Sequence, residues 1–239
     1  EKIVRAVAPK KTDNIIEIGP GLGALTQQLL PQLSCLSVIE LDKDLIPLLE
    51  EKCRHLGKLI VYQGDALKFN FKSLSKANGL WRLVGNLPYN ISTPLLFHCL
   101  DQASAIQDMH FMLQKEVVDR LNAQPGQASY GRLSVMIQYY CGVEKLFNVK
   151  PGAFQPPPKV DSAVVRLIPY KELPYKANDP LLFAEIVRIA FSQRRKMLRN
   201  NLANLLQAED FEQLNIDPRQ RPEQLFVSDY VNLANFLTK

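Results

Sequence analysis

Asn14-Ile15-Ile16-Glu17-Ile18 runs without a break into Gly19-Pro20-Gly21-Leu22-Gly23, and residues 24–33 then read as a helix. A short, continuous apolar run of this kind is the pattern of a strand buried on both faces. A glycine cluster directly after it lets the backbone turn tightly and come close to a ligand at the head of the next helix. The same unit repeats. Residues 36–40 read as a second strand, followed by a helix over 43–53. Residues 58–62 form a third strand, ending near Gly64-Asp65-Ala66. A fourth, 80–84, ends at Gly85-Asn86-Leu87-Pro88-Tyr89. Strands alternating with helices predict an α/β fold with a parallel sheet covered on both faces.

Residues 105–113 read as a fifth strand, with helices at 114–122 and 130–141. Strands near 143–149 and 162–168 are placed to pair antiparallel at the sheet edge. From Asp179 the pattern turns wholly helical: 180–193, 196–206, 209–215 and 228–237. This divides the chain into an α/β domain over 1–172 and a small all-α domain over 173–239. The first residues, Glu1 to Val7, read as the inside of an amphipathic helix, so the protein's own start is expected to lie upstream.

Composition excludes several classes. The apolar runs are too short to span a bilayer and no signal peptide is visible, which predicts a cytoplasmic protein. Cys35, Cys53, Cys99 and Cys141 lie far apart, with no Cys-x-x-Cys pair, and the histidines add no ligand spacing. Reduced core thiols and no metal are expected. The net charge of +5 permits a nucleic-acid partner without demanding one.

The segment Asn86-Leu87-Pro88-Tyr89 carries the chemistry. An exocyclic amine on adenine is a poor nucleophile because its lone pair is delocalised into the ring. Accepting hydrogen bonds from its N–H groups localises that pair. The Asn86 side-chain oxygen and the Leu87 carbonyl are suited to accept them. Pro88 restricts Leu87 to extended backbone, and Tyr89 offers a face for a base to stack on. The competing reading is a plain strand-to-helix loop, with Ser92 as the N-cap of the next helix.

Three further signals fit a nucleoside-containing cofactor. Glu17-x-Gly19-x-Gly21-x-Gly23 has a spacing different from the Gly-x-Gly-x-x-Gly of dinucleotide sites, and its acid suits S-adenosylmethionine better. Glu40, ending the second strand, is placed to bind both ribose hydroxyls, while Asp42 reads as a helix cap. Asp65, after the third strand, can accept from an adenine amino group, with the Ala66 amide near the ring. All four signals fall at the C-terminal ends of successive strands, the edge at which open parallel sheets bind ligands.

Together with Val38–Asp42, Phe111–Val118, Tyr130–Ser134, Phe154–Ser162 and Gln193–Lys196, these segments closely resemble the ribosomal RNA adenine N6-dimethyltransferases of the small-subunit branch. The resemblance spans nearly the whole chain and implies a Rossmann-like class I methyltransferase sheet. It implies that Gly19, Gly21, Glu40, Asp65 and Asn86 contact S-adenosylmethionine. It also implies that Asn86, Leu87 and Tyr89 hold the target adenine while Phe154, before a stiff Pro-Pro-Pro run, closes over its other face. The family has a basic, glutamine-containing motif ahead of its first helix, and this sequence begins after that point.

Arg194, Arg195, Lys196 and Arg199, with Arg120, concentrate positive charge. Singly each reads as part of a solvated helix face; as a cluster they suit phosphate contacts that orient RNA without reading sequence. The implied reaction is transfer of two methyl groups to N6 of each of two adjacent adenosines near the 3′ end of 16S rRNA, late in small-subunit assembly, by a monomer. Three alternatives stay open: a large-subunit rRNA methyltransferase, an assembly checkpoint that chiefly binds immature subunits, and a DNA adenine methyltransferase. Leu87 departs from the Pro expected of the last.

Overall fold

In a computed structural model the chain is described over residues 1–74, 79–153 and 159–238. By internal contacts it forms two compact units, one of residues 1–118 and 142–169, the other of 119–141 and 170–239. The sequence reading places one cut after residue 172. The packing divides the chain twice more, because the segment 119–141 takes its contacts from the C-terminal helices.

The first unit is built on a seven-stranded sheet in the order β3-β2-β1-β4-β5-β7-β6. The strands are β1 (Asn14–Ile18), β2 (Leu36–Glu40), β3 (Leu59–Gln63), β4 (Trp81–Asn86), β5 (Ile106–Gln114), β6 (Cys141–Val149) and β7 (Ser162–Pro169). β1 to β5 pair parallel and β7 runs antiparallel to β5. Ile15, Ile16 and Ile18 of β1 are all buried, as are Leu36, Val38 and Ile39 of β2. Each such side chain contributes about 1.5–3 kcal/mol by leaving water, which is why these runs form the centre of the sheet. Over one face lie α1 (Lys2–Val7), α2 (Thr26–Leu29) and α3 (Ile46–Cys53), whose Val4, Val7, Leu29, Leu49 and Cys53 join Ile15, Val38 and Val84 in one cluster. The remaining helices of this unit include α4 (Phe71–Leu74), α5 (Ser92–Leu100) and the start of α6 (Lys115–Asn122).

The helical unit holds α7 (Arg132–Tyr140), α8 (Pro180–Ala190), α9 (Leu198–Asn201), α10 (Ala208–Gln213) and α11 (Val227–Leu237). Tyr139 and Phe183 stack with ring centroids 4.3 Å apart. The buried hydroxyls of Tyr130 and Tyr230 donate to the Leu225 and Pro222 carbonyls at 3.0 and 2.7 Å. Asp179 caps α8 by accepting from the Leu181 and Leu182 amides.

Three local expectations are corrected. The helix expected over 196–206 is only the single turn α9. Its first two amides, of Leu198 and Arg199, have no acceptor within the helix and donate to the Gln220 and Pro218 carbonyls, which holds the segment against a returning loop. Asp42 caps a turn ahead of α3, accepting from the Asp44 amide at 2.9 Å, and the helix itself begins at Ile46. Ser92 lies inside α5, where its hydroxyl donates back to the Tyr89 carbonyl at 3.0 Å. Among the described residues no helix is long and apolar enough to cross a membrane.

Candidate active site

The register brings the C-terminal ends of β3, β2, β1 and β4 side by side: Glu40 pairs with Gln63, Ile18 with Ile39, and Glu17 with Val84. Hydrogen bonds carry the alignment past the strand ends. The Gly19 amide donates to the Ile39 carbonyl and the Gly64 amide to the Glu40 carbonyl, both at 2.9 Å. Gly19, Glu40, Asp65 and Asn86 therefore lie along one edge.

Gly19 and Gly21 have φ of +65° and +54°, and a Cβ built on either meets nothing within 4 Å. The loop main chain thus faces open space that side chains would otherwise fill. The Glu40 carboxylate is 7 % exposed and ties the loop to the end of β2. Its oxygens accept from the Gly21 amide at 3.0 Å and the Asp42 amide at 2.9 Å. A carboxylate has about four lone-pair sites, so these bonds leave capacity for ligand hydroxyls. Asp65 Oδ1 accepts from the Leu67 amide at 2.9 Å, capping the turn Ala66–Lys68, in which Ala66 is buried. Both the turn role and an acceptor role suit this carboxylate.

Glu17 points elsewhere. It is 2 % exposed, and its Oε2 accepts from the Thr26 hydroxyl at 2.7 Å. Burial pushes its pKa up to about 7; the Thr26 bond pulls it down and the Glu40 charge pushes it up again. Glu17 braces the glycine loop from beneath rather than lining its open side.

At the end of β4, Asn86 is exposed, Leu87 is buried and Tyr89 is half-buried. The Leu87 amide donates to the Met112 carbonyl of β5 at 3.1 Å, so the peptide before Pro88 is anchored to the sheet. Pro88 is followed by a turn closed by the Ile91 amide on the Pro88 carbonyl. A Cβ on Gly85 would lie 2.7 Å from the Ile18 carbonyl oxygen, so β1 and β4 approach too closely there for any side chain. The Tyr89 hydroxyl lies 3.0 Å from the Ser162 Oγ. Phe154 and the prolines after it lie outside the described residues.

The edge thus combines an open glycine turn, two carboxylates able to accept from hydroxyl and amino groups, and an exposed amide beside an aromatic ring. These fit an adenosine-containing methyl donor and an amine acceptor. The sequence reading missed Thr26, and it quoted Ser162 without giving it a role. Thr26 acts across the glycine turn on Glu17 and Ser162 on Tyr89, 73 residues away, and no helical or strand spacing signals either.

Arg120, Arg194, Arg195, Lys196 and Arg199 are all exposed. Arg194 donates through Nη2 to the Ala128 and Tyr130 carbonyls, so it also braces the helical unit. The Arg120 carbonyl accepts from the Ser134 hydroxyl.

The family model for ribosomal RNA adenine dimethylases matches residues 1–239. "Ribosomal RNA small subunit methyltransferase A" of Marinomonas sp. strain MWYL1 is 56% identical over 238 residues, covering 100% of this chain and 90% of that one. The protein of the same description from Pseudomonas aeruginosa is 57% identical over 238 residues, covering 100% and 89%. A dimethyladenosine transferase from Plasmodium falciparum superposes with a TM-score of 0.81 at 28% identity, over 97% of this chain and 92% of that one. The 23S rRNA methyltransferase ErmE shares the fold, with a TM-score of 0.76 at 22% identity over 100% and 96%.

Proposed function

The chain belongs to the ribosomal RNA adenine dimethylase family, and from that premise we propose that it dimethylates N6 of two adjacent adenosines near the 3′ end of 16S rRNA during late small-subunit assembly. The single observation that carries the site assignment is the alignment along one sheet edge of the glycine turn after β1, Glu40 of β2 and Asn86 of β4. The substrate follows from the small-subunit relatives.

Bound at this edge, S-adenosylmethionine supplies a methyl group on a positively charged sulfur. Gly19 and Gly21 let the main chain come close to it, Glu40 accepts from the ribose hydroxyls, and Asp65 with Ala66 receives the adenine. The target adenosine must leave its stack to reach the edge. Its ring lies on Tyr89, and the family resemblance assigns the opposing face to Phe154. The Asn86 side-chain oxygen and the Leu87 carbonyl accept from the N6 hydrogens and localise the lone pair on nitrogen. N6 would then attack the methyl carbon in line as its bond to sulfur breaks, with S-adenosylhomocysteine leaving as the neutral thioether. Once it carries positive charge the amine is acidic and releases its proton to water, so no strong base is needed. The protein supplies position and fixed dipoles. Arg120, Arg194, Arg195, Lys196 and Arg199 contact phosphates. The enzyme works as a cytoplasmic monomer without a metal.

The test is transfer of labelled methyl to small subunits lacking the modification, with free rRNA, large subunits and DNA alongside. The expected product is N6,N6-dimethyladenosine in the small subunit, two methyls on each of two adenosines. Preferential labelling of large subunits or DNA overturns the substrate assignment.

A further inference from the structure

We infer that Ser162 is a positioning residue for Tyr89, and that through this contact it governs completion of the second methylation at each adenosine. The inference rests on the proposed reading of Tyr89 as the base-stacking ring.

Ser162 reaches the site because β7 is reversed. β1 to β5 present their C-terminal ends at the reactive edge, whereas antiparallel β7 presents its first residue there, with Ser162 paired to Gln114. Ser162 is 1 % exposed, and the Asp161 carbonyl beside it accepts from the Lys115 amide at 2.9 Å. The hydroxyl is therefore carried on backbone fixed on both sides. Its Oγ meets the Tyr89 hydroxyl at 3.0 Å. At the other end of the same residue, the Tyr89 carbonyl accepts from the Ser92 hydroxyl at 3.0 Å. The ring is thus held at its backbone by α5 and at its para position by β7. It is only half-buried, so packing alone encloses it incompletely.

The two methylations do not depend equally on this hold. An unmodified N6 offers two hydrogens, one for each acceptor at Asn86 and Leu87. A monomethylated N6 offers one. Stacking then carries more of the positioning, and any slack in the ring costs more. A loosened ring should slow the second transfer more than the first.

The experiment compares Ser162→Ala, Tyr89→Phe, their double variant, Ser162→Thr and Tyr89→Ala in the full chain, on undermethylated small subunits. Measured are kcat and KM for each substrate, the ratio of N6-methyl to N6,N6-dimethyl product, and the melting temperature. Loss of one neutral hydrogen bond predicts about a three- to tenfold fall in the second transfer for Ser162→Ala, with KM for S-adenosylmethionine unchanged. Monomethyl product should accumulate. Tyr89→Phe should match it, and the double variant should be no worse than either single change, because all three remove the same contact. Ser162→Thr, which keeps a hydroxyl, should restore the product ratio. Wild-type product ratios in Ser162→Ala overturn the inference, as do effects that multiply in the double variant. A loss tracking melting temperature alone, unrestored by Ser162→Thr, overturns it too. Full activity in Tyr89→Ala instead removes the stacking reading on which the inference rests, so the two failures are distinguishable.

Discussion

Arg82 and Asn86 sit four residues apart on β4, and their surroundings are opposite. Arg82 is 8 % exposed, near the end where the strands begin. Its Nε and Nη2 donate to Asp108 at 3.0–3.2 Å, its Nη1 to Asp13 at 2.6 Å, and its Nη2 also to the Val7 carbonyl at 2.7 Å. Asn86, where the strand ends, is exposed above an anchored peptide. At one end of the sheet charge is consumed internally and ties α1, β4, β5 and the turn leading into β1 together. At the other, polar atoms are held in place by the backbone and turned outward. The contrast shows how one strand divides its work: the buried end fixes the strand, and the fixed strand aims the exposed end. Burial alone raises the Asp108 pKa, but His110, with Nδ1 3.6 Å away, and the Arg82 bonds outweigh it and hold it below the usual aspartate range.

The comparison breaks most sharply at Arg82. Arg82→Met leaves Asp13 without its cation and Asp108 with only the more distant Arg166, 3.8 Å away, and is expected to cost about 3–5 kcal/mol of stability, read from urea unfolding at neutral pH. In the native chain the Asp108 contribution is present above the ordinary aspartate pKa and lost as pH falls through its lowered folded value. The variant should therefore lose less stability on acidification. Enzyme that remains folded should transfer methyl at a near-native rate, and a collapse of kcat in that folded fraction would erase the distinction between the two ends.

Asn86→Ala is the mirror test. Removing one acceptor from a site of this kind typically costs about 10²–10³ in kcat. The melting temperature should stay within a degree or two of the parent, while cofactor affinity weakens and remains measurable by calorimetry. Wild-type turnover would refute the role of Asn86.

The smallest effect falls between the two ends, at Glu17. Its pKa is raised from 4.5 to about 7, chiefly by burial. Between those values the folded chain keeps a proton that the unfolded chain has released, so stability falls as pH rises through that window. Above it the cost of ionising the buried carboxyl is fully present, at most about 3 kcal/mol. Glu17→Gln keeps an acceptor for Thr26 and stays neutral. Urea midpoints at pH 5 and pH 7.5 should differ less in the variant than in the parent; equal slopes would show that Glu17 does not titrate in this range.

The upper edge of the sheet was far more legible in the sequence than the lower. A strand buried on both faces writes itself as an unbroken apolar run, and the glycines, Glu40 and Asn86 stand directly after such runs. Of the antiparallel edge, β7 could be read for the same reason, whereas β6 is mostly half-buried. Arg82 and Asp108 left no such mark. Each is a lone charge within an apolar run, and they are 26 residues apart, so neither announces the other. Tyr89 and Ser162 are 73 residues apart and were equally silent as a pair. The expected helix over 196–206 fails at its far end: it starts at Leu198 and stops at Leu202, where the Leu205 and Leu206 amides both turn back to the Leu202 carbonyl. Local patterns encode periodicity; they do not encode which distant group will share a hydrogen bond.

The reversal of β7 also sets an order of assembly. A chain emerging from its N-terminus has all five parallel strands, the glycine turn and Asn86 by residue 114, whereas the strand that steadies Tyr89 arrives only from residue 162. β6 borders β7 alone in the sheet, so the edge of β5 stays open until that late strand adds to it. The nascent protein acquires the parts proposed to hold the methyl donor first, and the hydroxyl that meets Tyr89 last.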